Sequence, residues 1–336
     1  MENVNENIGE KELRRGKVQK NKNFNRLKNR RNIFVFLGLL WPLIHFCVFF
    51  LYVNLGTVYA SFFNEKIDGT LVWDGFKSYA DVFRYMFNIK STALNSYHAW
   101  LNTLSLMALA VFVNLPITLA FSYMLFKKMH TSGVLRILLY IPNVLSVVIL
   151  CLFFKILFSG TSGYQTNIFT VLSKFGFDNE FIIKEGMFGA RSTAWPALLI
   201  FSVWTGVSGN IIYFNSTMAR LPAEVLESAG LDGAGEMRQF FSIVLPMIWS
   251  TIVTMTIMTV GGCFGWFMPA QIMVGLEMIG TIKVNTVGWI IVNGALDNQR
   301  YGFISAFGVV VAVLGGGLVL GLKALLEKIG GNGVEY

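Results

Sequence analysis

The chain has 336 residues, of which 54% are hydrophobic and only 14% charged, against about 25% charged in an average soluble domain. That balance excludes an ordinary soluble globular protein and places most of the chain in lipid. The net charge of +8 comes largely from a basic N-terminal tail whose Lys and Arg are not interleaved with aromatic residues. It reads as a topology signal and a contact for anionic membrane lipid, with no nucleic acid among the expected partners.

Residues 1–31 carry ten Lys and Arg among many Asn and are expected to form a disordered cytoplasmic tail. The tail is too long for a signal peptide, and the apolar run after it exceeds the roughly 7 to 15 residues of a signal core. This start is therefore expected to stay attached as the first span. Uncharged apolar runs follow at Ile33–Val53, Leu104–Phe126, Ile137–Phe154, Trp195–Thr217, about Met247–Phe267, and Tyr301–Leu322. Each is near the roughly 17 to 25 residues that a helix needs to cross about 30 Å of hydrocarbon. The fold class expected is all-α integral membrane with six transmembrane helices. Its parts are the tail, a first helix with an external loop over 32–99, a five-helix core over 100–328, and a short cytoplasmic end over 329–336. The charge-free run Gln239–Leu276 is longer than one straight helix requires. One span is assigned there, because two would carry the C-terminus outside.

Basic residues near spans are retained on the cytoplasmic side. The tail, the connection bearing Lys127, Lys128 and Arg136, and the C-terminal end with Lys323 and Lys328 are thus read as cytoplasmic. Segments 54–99, 159–194 and 268–300 fall outside, as in a multi-pass protein of a bacterial-type cell (inner) membrane.

Between the fourth and fifth runs lies a charged insert, Glu227–Pro246, reading ESAGLDGAGEMRQFFSIVLP. Pro222 can open a short helix, since its missing N–H would be unpaired there, and Glu224 suits the positive N-terminal dipole. That helix is expected to run through about Ala229. Gly230 and Gly233 flank Leu231 and Asp232 and allow the chain to turn with φ > 0. A second helix is expected from about Ala234 to Val244, with Pro246 ending or kinking it at the bilayer. Residues 220–246 would then form a helix–turn–helix on the membrane surface, offering Leu226, Ala229 and Leu231 to a groove. The alternative is an ordinary amphipathic loop between two spans.

Glu227, Ala229, Gly233, Ile243, Leu245 and Pro246 stand at the spacing E-x-A, three residues, G, nine residues, I-x-L-P. This resembles the cytoplasmic coupling loop, or EAA loop, of ATP-binding-cassette importer permeases. Ser228 stands where that family has its second alanine, a change of little more than a hydroxyl. The resemblance covers roughly residues 33 to 328. Leu101-Asn102-Thr103-Leu104 resembles the opening of the family's core, Leu138–Ser146 (LLYIPNVLS) its third-span pattern, and Tyr301–Ser305 the approach to its final helix, with Gly302 after the tyrosine rather than before it. Asp232-Gly233-Ala234 is similar to the carbohydrate branch, whereas 263–300 lacks that branch's D-x-x-Y-x-L-T-x-G-G-P pattern.

The resemblance implies a permease subunit of a binding-protein-dependent importer for a sugar or oligosaccharide, forming half of the path with a second homologous permease. Two cytoplasmic ATPase subunits, which hold ATP and Mg, and an extracytoplasmic solute-binding protein would complete the assembly. Coupling would fall to Glu227, Ala229, Asp232, Gly233, Ala234, Ile243, Leu245 and Pro246.

No G-x-x-x-x-G-K-[ST] phosphate loop is present, so ATP chemistry of the usual kind must come from another polypeptide, and no cofactor is expected in this chain. H-E-x-x-H and G-x-S-x-G are also absent, and His45, His98 and His130 lie far apart, which disfavours an enzyme. A stand-alone secondary transporter of a polar solute is the alternative function, and a membrane scaffold or enzyme the third. Coupling-ion sites need carboxylates at mid-membrane, and the assigned spans contain no Asp or Glu. Lys155 is expected to snorkel to headgroups, and His45 to be a hydrogen-bonded core residue. Cys47, Cys151 and Cys263 show neither disulfide nor zinc spacing and are expected to be buried small hydrophobes.

A solute path needs polar or aromatic side chains on one helical face. Ser202, Thr205, Gly209 and Tyr213 line up on the fourth span, with Trp204 and Asn210 beside them. Asn114, Thr118 and Ser122 align on the second, and Thr251, Thr254, Met258 and Gly262 on the fifth. The competing reading is close helix packing through small residues, with Ser, Thr and Asn as interhelical glue. Trp204 and Trp266 are the candidates for stacking on a sugar ring, and Trp100 and Trp195 for interfacial belt positions.

Overall fold

The computed structural model describes residues 31–65, 70–87, 96–128, 132–160, 168–176, 179–296 and 301–330. The basic tail through residue 30, His130 and the end from residue 331 lie outside these residues. The chain divides into Met1–Ala60 and Ser61–Tyr336. In the first unit, helix α1 (Arg31–Ala60) is long and apolar enough to span a membrane. Its side chains are exposed, Cys47 included, so the expected burial of Cys47 and His45 does not hold. The His45 ring instead lies against Phe49 at 4.7 Å.

The second unit begins with a hairpin, β1 (Phe63–Glu65) antiparallel to β2 (Leu71–Trp73) with Phe63 opposite Trp73, followed by α2 (Lys77–Phe87). Helix α3 (Tyr97–Phe126) is the second long apolar helix. It widens into a π-turn at Ala110–Asn114, immediately before Pro116. Proline has no N–H to offer the Phe112 carbonyl, so the ladder re-pairs with a longer step.

The expected third span is broken. Helices α4 (Ser132–Val144) and α5 (Val147–Phe158) meet at 107°, because Ser146 takes an extended conformation at φ −61, ψ 137 and Pro142 weakens the preceding turn. Two short helices, α6 (Ile168–Ser173) and α7 (Glu180–Glu185), lead to α8 (Arg191–Met218). Next come α9 (Ala223–Leu231), α10 (Glu236–Met247) and α11 (Trp249–Cys263), the last two bent by 73° at Ile248. Helices α12 (Met268–Val274), α13 (Leu276–Ile282) and α14 (Val287–Leu296) precede α15 (Tyr301–Ile329). Among the described residues four helices are long and apolar enough to cross a membrane, or six if each bent pair is one span.

The largest core cluster joins α5, α8, α12, α14 and α15 through Cys151, Phe154, Leu198, Phe201, Met273, Ile290 and Phe307. Segment 268–296 is thus no surface loop: Val287, Gly288, Trp289 and Ile290 are all buried. Lys155 does not snorkel outward. Its Nζ donates to the Ile272 carbonyl at 3.0 Å, near the C-terminal end of α12, where the helix dipole favours a cation. Trp195 likewise leaves the belt role and meets Trp266 edge-on, centroids 6.4 Å apart. Gly302 is required because a Cβ there would collide with the Phe63 carbonyl. The small residue after Tyr301 lets the hairpin lie on the start of α15.

Candidate coupling interface and solute path

The insert folds as two helices joined by a tight turn. Pro222 (φ −59, ψ 125) stands just outside α9 as its N-cap rather than inside it, and the helix continues two residues past Ala229. At its end the Ala234 N–H donates to the Ala229 carbonyl at 2.9 Å, and the Gly233 N–H to the Gly230 carbonyl at 3.1 Å. This pair of bonds is the Schellman motif, which needs a left-handed residue at the position of Gly233, here at φ +78. Gly230 lies within the helix and needs no such freedom. The Ala229 and Gly233 of the sequence pattern thus belong to one turn, closed by the backbone of Ala229 and Ala234 and permitted by the glycine.

The second helix, α10, winds as a π-turn over Phe240–Val244, again two residues before a proline, Pro246. The expected kink falls at Ile248 (φ −100, ψ 11). Leu245 packs on a buried cluster of Phe214, Met218, Phe240, Val244 and Ile248, while Ile243 is half-buried and Pro246 exposed.

A polar brace fixes this helix to the end of α3. Lys127 Nζ donates to Gln239 Oε1 at 2.8 Å and pairs with Glu236 Oε2 at 3.4 Å. Tyr123 Oη donates to the same carboxylate oxygen at 2.8 Å, and Gln239 Nε2 donates to the Ala234 carbonyl at 2.8 Å. Gln239 therefore ties the Schellman turn to Lys127. The sequence reading used Lys127 only for topology and missed Tyr123, Glu236 and Gln239. A lone amide opening a charge-free run was the available signal.

What the brace leaves outward is apolar and charged, Arg238 included. Leu231 is 90% and Met237 75% exposed, with Glu227 and Asp232 exposed beside them. Trp249 Nε1 donates to the Leu326 carbonyl at 3.1 Å, so the end of α15 lies at the same end of the bundle as the loop.

The candidate path residues separate into three groups. Asn210 lines a narrow crevice with Ala110, Val111, Met255, Thr256 and Thr259. Its Nδ2 reaches Thr259 Oγ1 at 3.4 Å. Asn114 and Thr118 are buried and serve packing: Thr118 Oγ1 donates to the Asn114 carbonyl at 2.6 Å, and a Cβ on Gly206 would collide with the Asn114 amide. Thr205 Oγ1 donates to the Phe201 carbonyl at 2.9 Å, and Trp204 meets Phe201 edge-on at 6.3 Å, so both are held within α8 and its core contacts. Trp266 is half-buried against Trp195. Tyr213 and Met258, 53% and 67% exposed, and Thr254 lie on the surface of the chain and do not line the crevice. The stripes therefore do not converge on one site within this chain.

At the opposite end, Asn102 Nδ2 donates to the Lys283 carbonyl at 3.0 Å and the Asn285 carbonyl at 2.8 Å. Thr103 Oγ1 accepts from the Val287 N–H at 3.1 Å. The Asn102-Thr103 pair thus pins the segment before α14 to the start of α3.

Long apolar helices, two bent pairs and a braced helical loop at one end define a transport permease of the membrane. The sequence pattern of the family described as "Binding-protein-dependent transport system inner membrane component" matches residues 91–328, and the chain belongs to that family. Arabinooligosaccharides transport system permease protein AraP of Bacillus subtilis (strain 168) is 26% identical over 294 residues, covering 86% of this chain and 86% of that protein. Maltose/maltodextrin transport system permease protein MalF of Escherichia coli (strain K12) is 26% identical over 277 residues, 79% of this chain and 52% of MalF. A bacterial ABC transporter involved in the import of the acidic polysaccharide alginate, known from a crystal structure, has a chain of the same fold. The TM-score is 0.73 at 20% identity, covering 89% of this chain and 97% of that one. The same transporter type was also solved in complex with an alginate pentasaccharide-bound periplasmic protein, with a TM-score of 0.72 at 20% identity and coverage of 91% and 98%.

Proposed function

We propose that this chain is one half of the translocation path of an ATP-driven importer for a sugar or oligosaccharide. A second homologous permease forms the other half, two cytoplasmic ATPase subunits dock on residues 220–246, and an extracytoplasmic solute-binding protein delivers the solute. Both chain ends are cytoplasmic, and ATP and Mg are handled by the ATPase subunits, this chain being non-catalytic. The observation that carries this reading is the Schellman-closed loop, braced by Lys127, Tyr123, Glu236 and Gln239 yet presenting Leu231 and Glu227 outward. Leu231 and Met237, both largely exposed beside Glu227 and Asp232, support it by offering a partner groove apolar contacts within a charged surround. The sugar class is supported by the names of the relatives, and the path at an interface with a second permease by the outward Tyr213, Thr254 and Met258.

The test is purification of the tagged chain from its own cells. ATPase subunits are expected to co-purify, and Glu227→Lys is expected to lose them while the helices still insert, because it places a cation where the groove meets an anion. Recovery of the chain without ATPase subunits, in a form that transports, would defeat the reading.

A further inference from the structure

The end of the bundle opposite the coupling loop carries two cations, Arg191 and Lys283, brought together by the segment before α14. Helix α8 spans 28 residues, about 42 Å at 1.5 Å per residue, with the loop after one end and Arg191 opening the other. With the loop cytoplasmic, as proposed above, Arg191 faces the extracytoplasmic side. Arg191 donates from Nη1 to the Lys283 carbonyl and from Nη2 to Asn102 Oδ1 at 3.3 Å. Both acceptors are neutral. Lys283 itself sits at φ +63 with its side chain exposed, and the charges of both residues act on the His98 imidazole.

Three cations at this end have carboxylate partners, Lys77 with Asp74, Arg84 with Asp81 and Lys184 with Glu180, while Lys155 takes the Ile272 carbonyl. Among the described side chains, which exclude that of Glu277, no carboxylate pairs with Arg191 or Lys283. A half-buried guanidinium without a counterion is an unfavourable arrangement within the isolated chain. Basic residues are also disfavoured on the outer face of a membrane protein. Their retention together, on a roof held rigid by Asn102 and the fully buried Val284, Asn285 and Thr286, gives a fixed cationic patch open to the outside.

We propose that Arg191 and Lys283, with His98 beside them, form a docking site for an acidic side chain of the extracytoplasmic solute-binding protein. This rests on the importer reading. A protein carboxylate is favoured over the solute itself, because a neutral sugar supplies no counter-charge and Arg191 lies 19 residues from Asn210 along one helix, about 28 Å. A guanidinium presenting free N–H groups matches a carboxylate in charge and geometry. Such a pair contributes mainly to encounter rate and orientation, so it weakens with salt.

The experiment uses the reconstituted complex and the solute-binding protein purified from the same cells, measuring ATPase stimulation against binding-protein concentration. Lys283→Glu is the informative variant, because only the Lys283 backbone carbonyl takes part in the roof contacts. It is expected to raise the half-stimulating concentration about tenfold at low salt, with basal ATPase activity unchanged and the difference shrinking as salt rises. Lys283→Arg is expected to behave as wild type, and reversing one acidic residue of the binding protein to Lys is expected to restore stimulation of the Lys283→Glu complex. Unchanged stimulation by Lys283→Glu at low salt would overturn the docking site while leaving the importer reading intact. Absence of any stimulation in the wild-type complex would overturn the importer reading itself.

Discussion

Gly233 offers the sharpest test of the coupling loop, because its environment isolates a single physical effect. A Cβ added there would meet nothing within 4 Å, so any loss on substitution is conformational. The backbone sits at φ +78, and an ordinary L-residue held left-handed costs about 1–2 kcal/mol, slightly offset by a less flexible unfolded chain. A net penalty of about 1 kcal/mol lowers the population of the closed turn about fivefold relative to its frayed form. Asn, which tolerates this region through local hydrogen bonding, is expected to lose less than Ala, and a β-branched Val more. Gly233→Pro also fixes φ near −65° and removes the N–H that bonds Gly230 at 3.1 Å. Its penalty of about 3 kcal/mol or more corresponds to over a hundredfold. The assay is the affinity of detergent-solubilised complex for its ATPase subunits, together with ATP hydrolysed per solute imported in proteoliposomes. The expected order of affinity is Gly, Asn, Ala, Val, Pro. Wild-type transport by the proline variant, or an Asn variant worse than Ala, would refute the Schellman argument.

The brace gives a second prediction: Lys127→Met and Glu236→Gln each break a partly exposed pair worth less than about 1 kcal/mol, so stability changes little. ATP use per solute is expected to rise in both, with the double variant no worse than the stronger single one, as a double-mutant cycle would read. For topology, a membrane-impermeant thiol reagent applied to intact cells is expected to label single cysteines at Gly75 and Glu180 but not at Glu10, Gly230 or Asn332; labelling at 332 would place the C-terminus outside. For the solute path, Asn210→Leu is expected to reduce uptake about five- to a hundredfold at subsaturating solute by leaving one solute hydroxyl unpaired. Trp204→Ala, packed on Phe201, is expected instead to lower the thermal stability of the solubilised chain by opening a cavity. Normal uptake by Asn210→Leu would remove the crevice from the path.

Much of the loop could be read from one-dimensional spacing, because its determinants are local. Gly233 must turn and Pro246 must interrupt a ladder, whatever lies nearby. The same holds for the long runs over α1, α3, α8 and α15, where twenty or more apolar residues admit few alternatives to a lipid-spanning helix. The assignment of Gly230 to the turn missed because a helix accommodates glycine at modest cost, so only hydrogen bonding reveals where it ends.

The amino-acid sequence by itself determined that this is a helical membrane permease with a helix–turn–helix loop between its fourth and fifth apolar runs. Composition, run length and a short-range turn motif are properties of the chain alone. The tertiary structure decided the 107° elbow between Val144 and Val147, the burial of α14, the Lys155 bond to Ile272, and the joining of Lys127 to Gln239 and of Arg191 to Lys283. Each of the three bonds links residues about 90 or more positions apart. Which polar group meets which carbonyl depends on how helices pack, and no local period encodes it. The outward Tyr213 on α8 and Thr254 and Met258 on α11 are the remaining case: the helical spacing of each stripe is visible in sequence, but only packing shows that these members are exposed rather than in this chain's own core.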